Sequence, residues 1–105
     1  MIRETAFEAM LDDGVAVRVR FAREHGQIVS FIVQLECSID ERWYPVIRYD
    51  TAHGFAHCDV LRPDGIQDKR PMYVSDFNEA LTYAQDDIKI NFHRYCARFK
   101  EWLDE

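Results

Sequence analysis

Apolar and polar residues alternate from Gly14 onward. Val15, Val17, Val19 and Phe21 stand between Ala16, Arg18, Arg20 and Ala22, and a period of two puts the β-branched set on one face of a pleated strand. Val29, Phe31, Val33, Leu35, Cys37 and Ile39 repeat the pattern. Between the two runs, Glu24-His25-Gly26 offers a glycine for positive φ, so together they predict a hairpin. Residues 43–49 suit another strand, in which Pro45 marks an edge or a bulge because it has no N–H to give to a ladder. A short strand over 56–61 runs into Arg62-Pro63-Asp64-Gly65, where proline presets φ for a turn, and a strand over 69–74 pairs back on it.

The two ends of the chain follow a different period. Phe77, Ala80, Leu81, Ala84, Ile88, Phe92, Tyr95, Phe99, Trp102 and Leu103 recur at three and four, which predicts an amphipathic helix of about 28 residues, roughly 40 Å long. Ser75 or Asp76 can cap it, and Glu79 has capping-box spacing from Asp76. Such a rod exceeds a short strand, so its last turns should overhang the sheet, kink, or bury against the N-terminal segment or a second subunit. At the start, Thr5 as a cap with Phe7, Met10 and Leu11 at helical spacing predicts a short helix; an edge strand fits the same residues.

These elements define an α+β fold, an antiparallel meander of four to five strands packed on one face by a long C-terminal helix. The 105 residues fit a single domain, 1–105. With 48% hydrophobic and 30% charged residues, the chain can fill a core and still solvate its surface, so disorder is not expected.

No apolar run approaches the roughly 20 residues that span a bilayer, and the acidic start does not resemble a secretory signal, so a cytoplasmic protein without membrane contact is expected. Cys37, Cys58 and Cys96 are odd in number and widely spaced among apolar neighbours, the usage of reduced core thiols. A net charge of −6 disfavours RNA or DNA as a partner through bulk electrostatics. The excess acid lies outside residues 14–62, however, where Arg18, Arg20, Arg23, Arg42, Arg48 and Arg62 balance an equal set of carboxylates.

If the valine-rich faces meet the helix, alternation assigns Arg18, Arg20, Gln34, Glu36, Tyr44 and Arg48 to the open face, with Ile28, Ile32 and Val46 as apolar neighbours. His57 and Asp59 join that open face while Cys58 and Val60 turn inward. Arginine stabilises developing negative charge and histidine titrates near neutrality, so Arg48, His53, His57 and Asp59 form a candidate catalytic set. Tyr44, Tyr49, Arg18 and Arg20 are candidate substrate contacts. Solvent faces of antiparallel sheets are ordinarily charged, and the same residues compose such a face. Neighbouring side chains on a strand point apart, which separates Cys58 from His57 as a thiolate pair. His53 and His57 have a four-residue spacing with Asp50, Cys58 and Asp59 nearby, but Gly54 predicts a turn where such metal pairs use a helix, so no metal is expected. Only Gly14, Gly26, Gly54 and Gly65 occur, each alone, so no nucleotide cofactor is expected.

The stretch Val46-Ile47-Arg48-Tyr49-Asp50-Thr51-Ala52-His53-Gly54-Phe55-Ala56-His57, followed by Asp59, resembles small prokaryotic proteins related to the TumE-like toxins. The likeness lies mainly in residues 46–59, with Cys58 standing where a further basic residue is expected. It implies a toxin–antitoxin component acting on RNA or translation and neutralised by a DNA-binding antitoxin protein. Independently of it, a non-catalytic module that pairs through its open face or helix end, as a homodimer for example, is expected to carry apolar residues on the outer sheet face.

Overall fold

The alternating segments are joined by connections so short that each strand must turn back beside its predecessor. The computed structural model, which describes residues 1–105, has β1 (Arg3–Asp12), β2 (Val15–Glu24), β3 (Gln27–Ile39), β4 (Arg42–Asp50), β5 (His57–Leu61), β6 (Gln67–Pro71) and α1 (Phe77–Leu103). A 3-10 turn, Ala52–Gly54, lies between β4 and β5. The strands form one antiparallel sheet in chain order, β1 to β6. His25 (φ 51°) and Gly26 (φ 76°) make the two-residue β2–β3 turn, and Asp40 (φ 51°) and Glu41 (φ 66°) make the β3–β4 turn. Consecutive left-handed residues match the twist of a hairpin.

The sheet therefore has six strands and not four to five. The first 13 residues form no helix, because β1 pairs with β2 from Arg3↔Arg23 to Asp12↔Val15. Those ladder hydrogen bonds outweigh the weak helical spacing of Phe7, Met10 and Leu11.

Asp76 caps α1 by accepting the Glu79 N–H at 2.8 Å, and the Glu79 carboxylate accepts the Ser75 N–H at 3.0 Å. The helix runs along β3. Near its start Asn78 accepts the Ile28 N–H at 2.8 Å, and farther along Cys96 is bonded to Cys37. Ala80, Ala84 and Ile88 are buried in one apolar cluster with Val33, Leu35 and Ile47; the two alanines have no bulk to hold the helix away from the sheet. The end of α1 buries on this same sheet, with Phe99 against Tyr44 (centroids 5.3 Å apart) and Trp102 under Arg62. It thus packs on the sheet and not against the N-terminal segment.

Bulges correct several side-chain assignments. Ala22 pairs with Ser30 and Arg23 with Ile28, so Val29 is the extra residue: Ile28 is buried, while Val29 is exposed. Leu35 pairs with Ile47 but Glu36 with Pro45, which makes Val46 extra and flips the strand before it. Tyr44 consequently lies on the helix side, and Val46 is buried. The outer sheet face thus lacks two of the three apolar residues expected there. The Cys37–Cys96 disulfide, with Cα atoms 6.0 Å apart, replaces the expected pair of reduced thiols. Disulfides belong to oxidising environments, so the cysteines no longer support a cytoplasmic location. No helix is long and apolar enough to cross a membrane.

Candidate functional site

Beyond the bulge, register brings Arg48 opposite Asp59 and Asp50 opposite His57 on the face away from α1. Strand alternation thus collects Arg48, His57 and Asp59 on one face. It could not reveal their accessibility: His57 is only 1% exposed and Asp59 4%. The turn between β4 and β5 explains part of this burial. Asp50 Oδ1 accepts the Ala52 N–H at 3.0 Å, which starts the turn, and the chain returns with the Phe55 ring 5.3 Å from the His57 ring.

His57 Nε2 lies 2.8 Å from Asp50 Oδ1 and 3.5 Å from Asp59 Oδ2. Its Nδ1 faces the Phe55 carbonyl at 3.3 Å. Asp59 Oδ1 is buried without a hydrogen-bond partner. One donor atom from each of Asp50, His57 and Asp59 lies within 4.8 Å of the others, close enough to share a metal ion. His53 stays outside this group: its side chain is exposed, with its ring 6.4 Å from that of His57.

Arg48 turns away from Asp59. Its Nε donates to Gln34 Oε1 at 2.9 Å, Gln34 donates to Glu36 at 2.7 Å, and Arg18 bridges Glu36 and Glu8. This chain of polar contacts crosses from β4 to β1. Arg18 and Arg20 are exposed on the open face beside Ile32 and Gln34. Tyr44 and Tyr49 face α1, separated from those arginines by the sheet.

The helix side holds a cleft of about 590 Å³ between α1 and β4–β6. Ile47, Tyr49, Cys58 and Val60 line its sheet side, and Arg94, Tyr95 and Arg98 reach it from α1. Asp87 gathers hydrogen bonds from Tyr49 (2.6 Å), Tyr95 (2.8 Å) and Asn91 (2.8 Å). Burial, followed by the bond to Asp87, pushes both tyrosine hydroxyls up from their ordinary pKa. Burial also pushes the Cys58 thiol up to about 11, against the smaller downward effect of its hydrogen bond with Tyr49. A thiol so held is protonated at neutral pH and a poor nucleophile.

Arg70, Arg94 and Arg98 all line this cleft, and none pairs with a carboxylate. Arg98 rests between the rings of Tyr95 and Trp102, 5.3 and 5.1 Å from their centroids, and its Nε and Nη2 are buried without hydrogen-bond partners. Its pKa is lowered first by burial and then, against the opposing effect of Tyr95, by the neighbouring Arg94 and Arg70.

Residues 2–105 match the family described as a domain of unknown function, DUF7718. The chain belongs to the DUF7718 family. No curated protein and no solved structure matches it.

Sequence reasoning about this DUF7718 domain missed the arginine-lined cleft. Arg94 and Arg98 share a helix face at a spacing of four, which is visible in the sequence; that Arg70 joins them depends on β6 lying beside β5. Asp50, which the sequence marked only as a neighbour of His53 and His57, is the carboxylate nearest to His57.

Proposed function

We propose that the domain binds a small anionic molecule with an apolar body in the cleft between α1 and β4–β6. The supporting observation is the group of three guanidinium ions without carboxylate partners, where Arg98 directs two buried nitrogens to no acceptor. Like charges gathered around a cavity cost free energy that a phosphate or carboxylate offsets, and arginine's fork matches either anion. The volume suits a small ligand, and Tyr73, Tyr83 and Met72 supply apolar contact around the charged end. The protonated Cys58 thiol and the engaged Tyr49 hydroxyl favour binding over covalent chemistry.

Titration with phenyl phosphate and with phenol tests this by calorimetry and thermal shift. The phosphate should bind and raise Tm while phenol does neither, and Arg94→Gln and Arg98→Gln should each weaken binding by roughly 10-fold or more. Equal responses to the two compounds, or no response to either, would eliminate the proposal.

As a second function we propose a toxin–antitoxin type protein of the cytoplasm that acts on RNA through Arg48, His53, His57 and Asp59, held in check by an antitoxin protein. Its support is the shared open face of Arg48, His57 and Asp59, with Arg18 and Arg20 on the same side. His57 is 1% exposed, so RNA reaches it only if the residues that cover it move. Induced expression should arrest growth and His57→Ala should relieve the arrest; equally harmless wild type and variant would dismiss this role.

A further inference from the structure

We propose that Asp50, His57 and Asp59 bind a first-row divalent cation of the Zn²⁺ or Mn²⁺ class. The β4–β5 register places Asp50 directly across from His57, while Asp59 lies two positions further along the same strand face. All three donors therefore rest on paired backbone. Ligands bonded to such a metal at about 2.0–2.2 Å lie roughly 3.0–3.5 Å from one another. The separations from His57 Nε2, 2.8 Å to Asp50 and 3.5 Å to Asp59, are close to that spacing.

Two further features call for a cation. The Asp59 side chain is 5% exposed, and its Oδ1 has no hydrogen-bond donor although it is sealed from water. Leaving a buried carboxylate oxygen unsatisfied is costly. His57 Nδ1 faces the Phe55 carbonyl at 3.3 Å, and with the ring proton on Nδ1 this is the orientation by which a metal-bound histidine is commonly fixed. In the neutral ring Nε2 then presents a lone pair to two carboxylates, and the three acceptors repel. A proton on Nε2 relieves this repulsion and bonds to Asp50, but it leaves the buried Asp59 carboxylate without a close positive partner, its Oδ2 being 3.5 Å from the ring and its Oδ1 having no donor. A divalent ion engages the imidazole and balances both carboxylates. The imidazole donor favours transition metals over Mg²⁺ and Ca²⁺, which prefer oxygen ligands.

Bound there, the ion ties the end of β4 and the turn after it to β5, so metal affinity becomes folding stability. The cluster lies across the sheet from the arginine-lined cleft and is independent of any ligand there.

Wild-type protein stripped with a chelator and dialysed should bind a single equivalent of Zn²⁺ by calorimetry, with a rise in Tm. Co²⁺ should produce visible d–d absorption. Even outer-shell changes at metal sites cost about 10–100-fold, so the ligand variants Asp59→Asn and His57→Gln should weaken binding by at least ~100-fold. His93→Ala, which removes the separate His93–Asp12 pair, should leave affinity unchanged. Absence of heat and thermal shift for wild type in a large excess of Zn²⁺ and Mn²⁺ would overturn the proposal, whatever the variants do. So would undiminished binding in Asp59→Asn, or NMR signals showing both His57 nitrogens protonated in excess metal.

Discussion

Tyr49 in β4 donates a 2.6 Å hydrogen bond to Asp87 in α1, linking sheet to helix at the cleft. Asp87 also accepts from Tyr95 and Asn91, so one carboxylate organises groups from two elements. Tyr49→Phe keeps the ring and removes one donor. It should destabilise the fold by about 1–2 kcal/mol, measured by urea unfolding. An unchanged midpoint would mean that water replaces the hydroxyl.

The Cys37–Cys96 bond joins β3 to α1 across a sequence separation of 59. Reduction should lower stability by about 2–4 kcal/mol, chiefly by freeing the unfolded chain. Mass spectrometry after alkylation of the denatured protein should find one modified cysteine without reductant and three with it. Three without reductant would contradict the disulfide.

Alkaline stability follows from the sign of the shifts. Cys58 rises from an ordinary 9.0 to about 11 in the folded chain, and Tyr49 and Tyr95 are raised above 10.0. A group raised by folding contributes fully below its unfolded pKa and progressively loses that contribution as pH climbs toward the folded value. Unfolding free energy should therefore fall from pH 9 to 11, first through Cys58 and then through the tyrosines. Cys58→Ser combined with Tyr49→Phe should flatten the decline; an equally steep curve in that double variant would assign it to other groups.

Glu41 occupies the second position of the β3–β4 turn at φ 66°, where a side chain strains the backbone. Glu41→Gly should stabilise by about 0.5–1 kcal/mol, the relief exceeding glycine's greater freedom in the unfolded chain. A fall in Tm would show that the Glu41 side chain contributes more than its strain costs.

Local periodicity made much of this fold legible. Val15–Phe21 and Val33–Ile39 announced paired strands, and the apolar spacing from Phe77 to Leu103 announced the helix, with Ser75 or Asp76 as its cap, because each pattern depends on residues within a turn or two of one another. Alternation also placed Arg48, His57 and Asp59 on one face. It failed at Tyr44, Ile28 and Val46, where a single extra residue in a neighbouring pair inverts the parity.

The sequence by itself determined the strand and helix patterns and the shared face of the polar cluster. Tertiary structure alone decided that β1 pairs as a strand, that Cys37 meets Cys96, that His57 and Asp59 are sealed, and that Arg70 joins Arg94 and Arg98. Faces follow from the angle between successive residues, which is a local quantity. Burial, disulfide pairing and charge clustering depend on which distant segments lie side by side, and that is settled only when the whole sheet and its helix close together.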